Sequence, residues 1–343
     1  MQYVRQLQYG DIPRLVPPQQ SRFGLKTKRL TMGAAYEILS TPLAYAMPAY
    51  YDRHKPALAH KPVRVPFGAE RLQSFVYWEP ATVAHNAVVM WFHGGGYLVG
   101  TPESMANAAD AYLSQGYRFV SVGFRLMPRT PFPAQIQDAF IGVKAAAAWL
   151  QSETSWHGSI IVGGSSAGGM SAALLSYGRL LQRHFGLDTA GIAQRICGYV
   201  SCAAVLDADD MLLDYAPTGA VGDALLRAGV KLPATRVRGR IDRALLHDEL
   251  RAYSPITLLN QEDVPAVPYF GIHGVADATS PFATENTFAK RLSERLGSEA
   301  ATLRAIDDRR WQHMVTTVTL YKRHVEEDPL LSELFLWLDA HDS

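Results

Sequence analysis

The sequence predicts an α/β protein whose mainly parallel sheet carries helices on both faces. Two observations predict this class. From about residue 61 onwards, short apolar runs alternate with longer helical stretches, which is typical of a sheet built from βαβ units. The run Ala87–Phe92 is continuously apolar, as expected of a strand that is buried on both faces.

Eight segments are strand candidates. The first two, Val63–Val65 and Ser74–Trp78, resemble an antiparallel hairpin that opens the sheet. Ala87–Phe92 is followed by five more: Phe119–Val122, Ser159–Val162, Gly198–Ala203, Tyr269–Ile272 and Thr302–Ile306. Helical stretches lie between the later candidates, notably Gln135–Leu150 and Ala167–Leu181.

Residues 1–60 differ from the rest of the chain. Prolines interrupt this segment, and between them Met32–Tyr51 is rich in Ala, Leu, Met and Tyr, which favours one or two short helices with an apolar face. We expect an N-terminal cap segment over a pocket, followed by a catalytic domain at 61–343. The alternative is a contact with a second copy in a homodimer, or with a membrane surface.

The segment 207–251 interrupts the alternation of strands and helices. It contains several Gly and Pro residues and ends in a charged helical run, Arg236–Arg251. Insertions of this length usually lie at the functional end of a sheet. We expect a second cap element whose Leu212, Tyr215 or Leu225 lines the pocket. The alternative is a segment that packs on a sheet edge.

The charges of the chain are balanced. Lys and Arg number 33 and Asp and Glu number 32, which leaves no field to attract nucleic acid or an anionic membrane. No apolar run of about 18 residues predicts a transmembrane helix, and the N-terminus lacks the pattern of a signal peptide. We therefore expect a cytoplasmic protein with a small-molecule substrate, without nucleic-acid partners or stable membrane insertion.

The chain has two cysteines, Cys197 and Cys202. They have no Cys or His neighbours at ligand spacing, so they do not predict a metal site. Buried thiols are the simpler interpretation, and a disulfide is the alternative. Nothing in the sequence resembles a phosphate loop, a dinucleotide fingerprint or a zinc pair, so no cofactor is expected.

The strongest motif is Gly164-Ser165-Ser166-Ala167-Gly168, which has the pattern G-x-S-x-G. It follows the strand candidate Ser159–Val162 and precedes a helical stretch. A sharp turn from strand to helix holds the central serine in a strained conformation. The N-terminus of the helix directs backbone N–H groups towards negative charge near that serine. Ser166 is therefore the candidate nucleophile.

A second motif, His93-Gly94-Gly95-Gly96, follows the most apolar strand candidate. Glycines let a loop backbone approach a bound carbonyl closely, so that its N–H groups donate to the developing oxyanion. We assign Gly95 and Gly96 as donors, together with the N–H of Ala167. The alternative is a glycine-rich turn without a ligand.

A serine needs a base to accept its proton and an acid to orient that base. In α/β-hydrolases the chain order is Ser, then Asp or Glu, then His. Asp277 follows the strand candidate Tyr269–Ile272, at the sheet edge where active sites of open α/β folds assemble. His313 follows the final strand candidate, so we assign Asp277 as the acid and His313 as the base.

Other residues compete for these two roles. Asp307 or Asp308 could replace Asp277, although both lie in the loop of the histidine itself. His273 is too close to its strand to reach Ser166 and is expected to be a structural loop histidine. The remaining histidines lack such a context and are expected at the surface: His54, His60, His85, His157, His184, His247 and His324.

These motifs together resemble the hormone-sensitive-lipase-like carboxylesterases, a branch of the α/β-hydrolases. The likeness spans roughly residues 60–340 and includes Phe124–Pro128 with Pro131–Ala134 and Asp138, and Tyr253–Pro255. It implies a mostly parallel eight-stranded sheet, a helical N-terminal cap and hydrolysis of esters with short- to medium-chain acyl groups.

The chain departs from this family at three places. Ser165 stands where the family usually has an acidic residue, Gly123-Phe124 replaces the usual Asp-Tyr, and Arg129 replaces a glutamate. The Asp277 loop is closer to formamidase-like and peptidase-like relatives. We therefore keep an acyltransferase or amide-cleaving enzyme as the alternative on the same triad, with Arg309-Arg310 as candidates to bind a substrate carboxylate. A catalytically dead receptor is disfavoured because all three triad candidates are present.

Overall fold

The computed structural model describes residues 61–213, 219–236, 238–307, 313, 325 and 328–342. The predicted cap at 1–60, and with it Met32–Tyr51, lies outside the described residues. So do Tyr215 and Arg309-Arg310. The division into a cap and a catalytic domain therefore stays a prediction.

The described residues form an eight-stranded sheet, as predicted. Its strand order is β1-β2-β4-β3-β5-β6-β7-β8. The strand β2 is antiparallel to β1 and β4, and all other neighbours are parallel. The strands are β1 Val63–Pro66, β2 Ser74–Trp78, β3 Val88–Phe92, β4 Arg118–Val122, β5 Ile160–Ser165, β6 Ile196–Cys202, β7 Tyr269–Gly274 and β8 Ala301–Ile306.

Helices connect these strands. The described α-helices are α1 Ala106–Ser114, α2 Ala134–Glu153, α3 Ala167–Tyr177, α4 Arg179–His184, α5 Ala208–Leu212, α6 Ala220–Gly229, α7 Pro233–Arg236, α8 Arg243–Leu250, α9 Pro255–Leu258, α10 Phe282–Leu296 and α11 Pro329–Ala340. Short 3-10 turns lie at Pro102–Met105, Ala193–Arg195, Arg251–Tyr253 and Ser298–Ala300.

Burial on both faces explains why β3 is apolar throughout. Val88, Met90 and Phe92 pack into the core layer on one side of the sheet, whereas Val89 and Trp91 pack into the layer on the other side. Alternate residues of a strand point to opposite faces, so a strand that is covered twice has no position for a polar side chain.

The chain changes direction across the sheet between β3 and β5. The strand β4 lies on one side of β3 and β5 lies on the other. In open parallel sheets, such a switch leaves a crevice at the carboxyl ends of the strands, where ligands bind. The two strongest sequence motifs follow β3 and β5, so the fold places them side by side at this crevice.

Two predicted helices have different bounds in the structure. The stretch Ala167–Leu181 forms two helices, because Gly178 leaves helical geometry with ψ +68° and ends α3. In Arg236–Arg251 a regular helix begins only at Arg243. Gly239 has φ +91°, and Asp242 caps α8 by accepting hydrogen bonds from the N–H groups of Ala244 and Leu245.

The segment 207–251 contains α5 to α8 and packs beside the loop between β4 and α2. Phe132 forms an isolated parallel bridge with Val230, and its ring packs edge-on against Tyr253 at 5.2 Å between centroids. Asp210 accepts a hydrogen bond from Thr284 of α10 at 2.7 Å. Leu225 on α6 is exposed and Leu212 is buried. That this segment caps the substrate pocket stays a prediction.

Cys197 and Cys202 are both free thiols, half-buried and buried respectively. The prediction of core thiols is therefore confirmed, and the disulfide is wrong. Both side chains pack into the same core layer, because the register of β6 shifts by one residue at Cys197. No helix among the described residues is long and apolar enough to cross a membrane.

Asp138 on α2 is fully buried and braces the segment that follows β4. Its carboxylate accepts hydrogen bonds from Gln73 Nε2 and from the backbone N, Nε and Nη2 of Arg125, all at 2.8–2.9 Å. We expect Asp138→Asn to lower the free energy of unfolding by about 3 kcal/mol, because it leaves a largely buried guanidinium without its counter-charge. Urea denaturation followed by circular dichroism measures this loss.

The exposed pair of Arg304 and Glu333 is the matched control. Its side chains are 45% and 40% exposed, so water already solvates both charges. Glu333→Gln should change the free energy of unfolding by less than about 1 kcal/mol. Equal losses for the two variants would contradict the account of Asp138.

Candidate active site

Ser166 lies at the sharp turn between β5 and α3. Its backbone has φ +54° and ψ −125°, a conformation that costs a residue with a side chain about 1–3 kcal/mol. Three hydrogen bonds hold it there: its N–H donates to Cys202 O, and its carbonyl accepts from Val205 N and Gly169 N, each at 3.0 Å. The surrounding structure therefore enforces the strained turn that the sequence predicted.

Gly168 allows α3 to start close beneath the neighbouring strand. A Cβ atom at this position would lie 2.2 Å from Phe92 O and 2.4 Å from His93 O. Only glycine fits without moving the backbone of β3 or of the helix. The last residue of the pentapeptide therefore sets how closely Ser166 approaches the loop after β3.

The structure brings together the three residues that the sequence assigned to the triad. His313 Nε2 lies 2.8 Å from Ser166 Oγ, and His313 Nδ1 lies 2.7 Å from Asp277 Oδ2. All three side chains are buried. The three residues follow β5, β7 and β8 in the chain, and the order of these strands brings their carboxyl ends to one part of the sheet edge.

The protons of His313 follow from its partners. The carboxylate of Asp277 only accepts hydrogen bonds, so Nδ1 of the neutral ring carries the proton and donates it to Oδ2. The lone pair of Nε2 then faces Ser166 Oγ and accepts the hydroxyl hydrogen. This is the tautomer that a general base for serine needs.

Asp277 lies in the turn that follows β7. Its Oδ1 accepts hydrogen bonds from the N–H groups of Thr279 and Ser280, both at 2.8 Å, which leaves Oδ2 for the histidine. Burial alone would raise the pKa of Asp277, but the neighbouring imidazoles of His313 and His273 outweigh it and hold the pKa well below its usual range. The carboxyl is therefore ionised at neutral pH.

The glycine loop after β3 lies next to this turn because Phe92 and Gly164 are register partners. Gly95, Gly96 and Tyr97 have φ +100°, +61° and +59°, so three residues in succession have positive φ. Ala167 is the first residue of α3, and the N–H at this position of a helix has no partner within the helix. The structure thus places Ala167 directly after Ser166 and starts the glycine loop beside the same turn, and the donor role of Gly95 and Gly96 stays a prediction.

His93 supports the glycine loop from below. It is fully buried, its Nδ1 lies 2.8 Å from Gly94 O, and its ring stacks on Phe124 with 4.2 Å between centroids. Burial lowers the pKa of His93 to about 4, so the ring is neutral and Nδ1–H donates to the carbonyl. Phe124, one of the departures from the esterase pattern, is therefore part of the packing under the loop.

Ser165, another departure, is buried beside the nucleophile. Its hydroxyl oxygen has no hydrogen-bond partner among the described residues. A carboxylate at this position would need partners for its charge, and the buried surroundings of Ser165 provide none for the hydroxyl. The structure gives no account of Arg129, which is exposed.

The prediction that His273 is a loop residue is wrong. It is the fifth residue of β7, pairs with Ala305 of β8 and is fully buried. The strand extends two residues beyond the apolar run Tyr269–Ile272, because these residues continue the ladder with β8. His273 does not reach Ser166, as expected, but its Nε2 lies 3.1 Å from Asp277 Oδ2.

Sequence reasoning missed Glu285, which is fully buried on α10 and hydrogen-bonds His273 Nδ1. A helix as charged as Phe282–Leu296 usually lies at the surface, and nothing in its composition marks one glutamate as buried. His273 did carry a signal, since a histidine directly after a buried apolar run is unusual. Asp307, an alternative acid, is exposed.

Some of the histidines that were expected at the surface are partly buried. His85 is half-buried, stacks on Tyr117 at 3.7 Å between centroids and contacts Asp342. His184 and His247 are also half-buried, and His247 hydrogen-bonds Asp209, whereas His157 is exposed. His54, His60 and His324 lie outside the described residues. No three His, Cys, Asp or Glu side chains within the described ranges are arranged to hold a metal ion.

The sequence matches a family model described as BD-FAE over residues 76–292, more than half of the chain. It is 36% identical over 110 residues to the esterase LipI of Mycobacterium tuberculosis and 34% identical over 106 residues to the carboxylesterase NlhH of the same species. Each match covers 29% of this chain and 32% of the relative. The matched part therefore spans about a third of the length of these relatives.

Solved structures with a similar fold include two esterases. Esterase B of Lactobacillus rhamnosis has a TM-score of 0.62 at 18% identity, over 90% of this chain and 93% of that chain. EstE1, a carboxylesterase cloned from a metagenomic library, has a TM-score of 0.59 at 19% identity, over 90% and 96%. These likenesses confirm the predicted α/β-hydrolase fold.

Proposed function

Because the chain belongs to the BD-FAE family and has the α/β-hydrolase fold, we propose that it is a serine hydrolase. It cleaves carboxylic esters of small or medium acyl groups through an acyl-enzyme intermediate. The observation that carries this proposal is the continuous hydrogen-bonded series from Ser166 Oγ through His313 to Asp277 Oδ2, at 2.8 and 2.7 Å.

In the acylation step, Ser166 Oγ attacks the carbonyl carbon of the ester while His313 Nε2 accepts the hydroxyl proton. The protonated ring is then held between Oγ and the Asp277 carboxylate, which stabilises its charge. The C–O bond to the alcohol breaks as Nε2–H returns the proton to the leaving oxygen. Ser166 keeps the acyl group as an ester.

The tetrahedral intermediate carries its negative charge on the former carbonyl oxygen. In this proposal the N–H groups of Gly95, Gly96 and Ala167 donate to that oxygen. They are fixed before the substrate binds, since the loop and the helix are parts of the folded sheet edge. The positive end of the α3 dipole lies on the same side.

In the deacylation step, a water molecule repeats the attack. His313 Nε2 takes a proton from the water as its oxygen attacks the acyl carbon, and the same three N–H groups stabilise the second oxyanion. His313 then returns the proton to Ser166 Oγ as the acyl–oxygen bond breaks. The acid product leaves and the free enzyme is restored.

The relatives support an ester rather than an amide as the substrate, since LipI is named an esterase and NlhH a carboxylesterase. Acyl transfer and amide cleavage use the same triad, and product analysis separates them. A receptor with dead chemistry is disfavoured by the complete triad geometry. A cytoplasmic location, a reaction without a cofactor and a homodimer through the cap stay predictions.

The proposal is tested with p-nitrophenyl acetate and butyrate, the matching anilides, and an added alcohol or amine. We expect turnover of both esters, slower turnover of the anilides by at least about tenfold, and free acid as the main product. If most of the acyl group is found on the added alcohol or amine, the reaction is acyl transfer and the proposed hydrolysis is wrong. If the anilides are cleaved faster than the esters, the substrate is an amide and the proposed ester is wrong.

The glycine loop gives a prediction of its own. A Cβ atom at Gly95 would lie 2.4 Å from Val99 O, whereas one at Gly96 would meet its nearest neighbour, Leu98 Cδ1, at 4.0 Å. Gly95→Ala should therefore move the loop backbone and lower kcat by about 10²-fold, the effect of one lost oxyanion donor. Steady-state kinetics with p-nitrophenyl butyrate measures it.

Gly96→Ala is the matched variant of this pair. Alanine tolerates φ near +60° at a cost of about 1–2 kcal/mol, and its N–H keeps its direction. Its kcat should therefore exceed that of Gly95→Ala by at least about tenfold. The reverse order would contradict the assigned geometry of the loop.

A further inference from the structure

A second imidazole and a second carboxylate lie behind the triad. His273 Nε2 is 3.1 Å from Asp277 Oδ2, the same oxygen that His313 Nδ1 contacts at 2.7 Å. His273 Nδ1 is hydrogen-bonded to Glu285 Oε2. The series therefore runs from Ser166 through His313, Asp277 and His273 to Glu285, and every member is buried.

The partners of His273 show which ring atoms carry protons. Its Nε2 faces Asp277 Oδ2 and, at 3.0 Å, the carbonyl oxygen of Ser280. Both are acceptors, so Nε2 carries a hydrogen and donates it. Its Nδ1 faces Glu285 Oε2, and donation to an ionised carboxylate makes the ring an imidazolium.

The surroundings of Glu285 fit an ionised carboxylate. Besides His273, its oxygens contact the Ser201 hydroxyl, the Tyr269 hydroxyl and the N–H of Ala204. A backbone N–H only donates, and both hydroxyls are able to donate. Four donors around two carboxylate oxygens satisfy its lone pairs, which is the condition for keeping a charge away from water.

The charges around His273 come from all the elements packed against it. Asp277 faces it from the loop after β7, and Glu285 faces it from α10. Tyr269 on β7 and Tyr199 on β6 lie around Glu285, and burial raises the pKa of both well above the usual value, so both phenols are neutral. Phe282 covers the ring edge-on with 5.7 Å between centroids.

Two carboxylates around one imidazole favour its protonated form. Burial alone would lower the pKa of His273, but the charges and hydrogen bonds of Glu285 and Asp277 outweigh it and raise the pKa to about 10. The contribution of this group to stability is therefore complete below pH about 6.5 and is lost as the pH rises towards 10.

We propose that His273 and Glu285 are positioning residues, in which an imidazolium held by Glu285 fixes the Asp277 carboxylate for His313. The inference rests on the proposed function, since it assigns the two residues to the same reaction. Asp277 Oδ1 is fixed by two backbone N–H groups, and Oδ2 contacts His273 in addition to His313. The carboxylate then has one orientation available, the one that directs Oδ2 at the base.

Two variants of His273 separate its two hydrogen bonds. The amide nitrogen of glutamine reaches about as far as Nε2, so His273→Gln keeps a donor for Asp277 and loses the charge. The amide nitrogen of asparagine lies near Nδ1, so His273→Asn keeps the contact with Glu285 and loses the one with Asp277. A role through Asp277 predicts that asparagine is the more harmful of the two.

The kinetic test uses p-nitrophenyl butyrate and the rate at which a fluorophosphonate labels Ser166. His273→Asn should lower both by about 10- to 100-fold, the effect of one hydrogen bond to a charged group. His273→Gln should keep both within about fivefold. In the pH profile of kcat/KM of His273→Gln, the loss of activity on the acidic side should begin at higher pH. The positive charge of His273 is then absent, so Asp277 stabilises the protonated His313 more strongly.

The loss in His273→Asn should also disappear in an Asp277→Asn background, because the two changes remove one interaction. A loss of the same size in that background, or equal losses for the asparagine and glutamine variants, would overturn the positioning role. The positioning role is also overturned if both variants have the kcat of the wild-type protein and an unchanged pH profile of kcat/KM. Circular dichroism checks that the variants fold. If His273→Asn does not fold, the pH profile of kcat/KM of His273→Gln tests the role alone, and an unmoved acidic side overturns it.

A measurement without substrate keeps this inference distinct from the proposed function. In protein with ¹⁵N-labelled histidine, NMR should show both ring nitrogens of His273 protonated from pH 6 to 9. One unprotonated nitrogen in that range would overturn the imidazolium. Failure of wild-type protein to turn over any ester, with both nitrogens protonated, would instead overturn the proposed reaction.

Discussion

Replacing Ser166 with alanine should lower kcat for p-nitrophenyl butyrate by about 10⁴- to 10⁶-fold. The variant removes the oxygen that attacks the carbonyl, which lies 2.8 Å from His313 Nε2. The remaining rate should come from the oxyanion donors and from binding. Stopped assays over hours with a high enzyme concentration measure such a slow rate.

Ser165→Ala is the matched control, since it removes a hydroxyl from the adjacent residue. Within the described part of the chain, the Ser165 hydroxyl is buried and has no hydrogen-bond partner, and thus none in the triad. Its loss should keep kcat within about threefold and leave the free energy of unfolding unchanged or slightly higher. Comparable losses for the two serine variants would contradict the assignment of the nucleophile.

Replacing Asp277 with asparagine should lower kcat at neutral pH by about 10⁴-fold, the loss known for an acid-to-amide change in a serine triad. The physical reason is the tautomer of His313. An asparagine amide N–H beside Nδ1 favours a ring that is protonated on Nε2, and this ring has no lone pair for the Ser166 proton. KM should change much less than kcat, because Asp277 contacts the base and not the substrate.

Asp307→Asn tests whether the acid was correctly chosen. Asp307 precedes His313 closely in sequence and is one of the two competing candidates, but it is exposed, and the other, Asp308, lies outside the described residues. Its replacement should leave kcat within about twofold. A large loss in Asp307→Asn with near-normal turnover in Asp277→Asn would reverse the assignment.

The pH dependence of wild-type protein follows from the lowered pKa of Asp277. A group whose pKa is lower in the folded than in the unfolded state supplies stability above its unfolded value. The contribution of Asp277 to the free energy of unfolding is therefore complete above pH about 4 and is lost as the pH falls further. A loss of activity at a pH above that range thus reports a group other than Asp277.

Much of the fold could be predicted because its signals are local. The apolar run of β3, the hairpin of β1 and β2 and the strand–turn–helix around Ser166 each appear within a few residues of sequence. The proximity of Ser166, Asp277 and His313 was predictable as well, because chain order and strand ends limit the candidates to a few. Helix bounds were less predictable, since Gly178 and Gly239 act through backbone angles that composition does not reveal.

The second layer of the site was not predictable for a different reason. Glu285 and His273 are brought together by the packing of α10 against β6 and β7, and such a contact has no signature in the spacing of residues. The charged composition of α10 even argued for a surface helix. A buried carboxylate becomes visible only when its donors, Ser201, Tyr269 and Ala204, are found around it.

The central claim is that Ser166 is the activated nucleophile of this site. The most direct test is reaction with a fluorophosphonate, followed by mass spectrometry of the intact chain and its peptides. The account predicts one adduct per chain, on the peptide that contains Ser166, formed at least about 10³-fold more slowly in Asp277→Asn. No adduct, or an adduct on a different residue of folded wild-type protein, would contradict it.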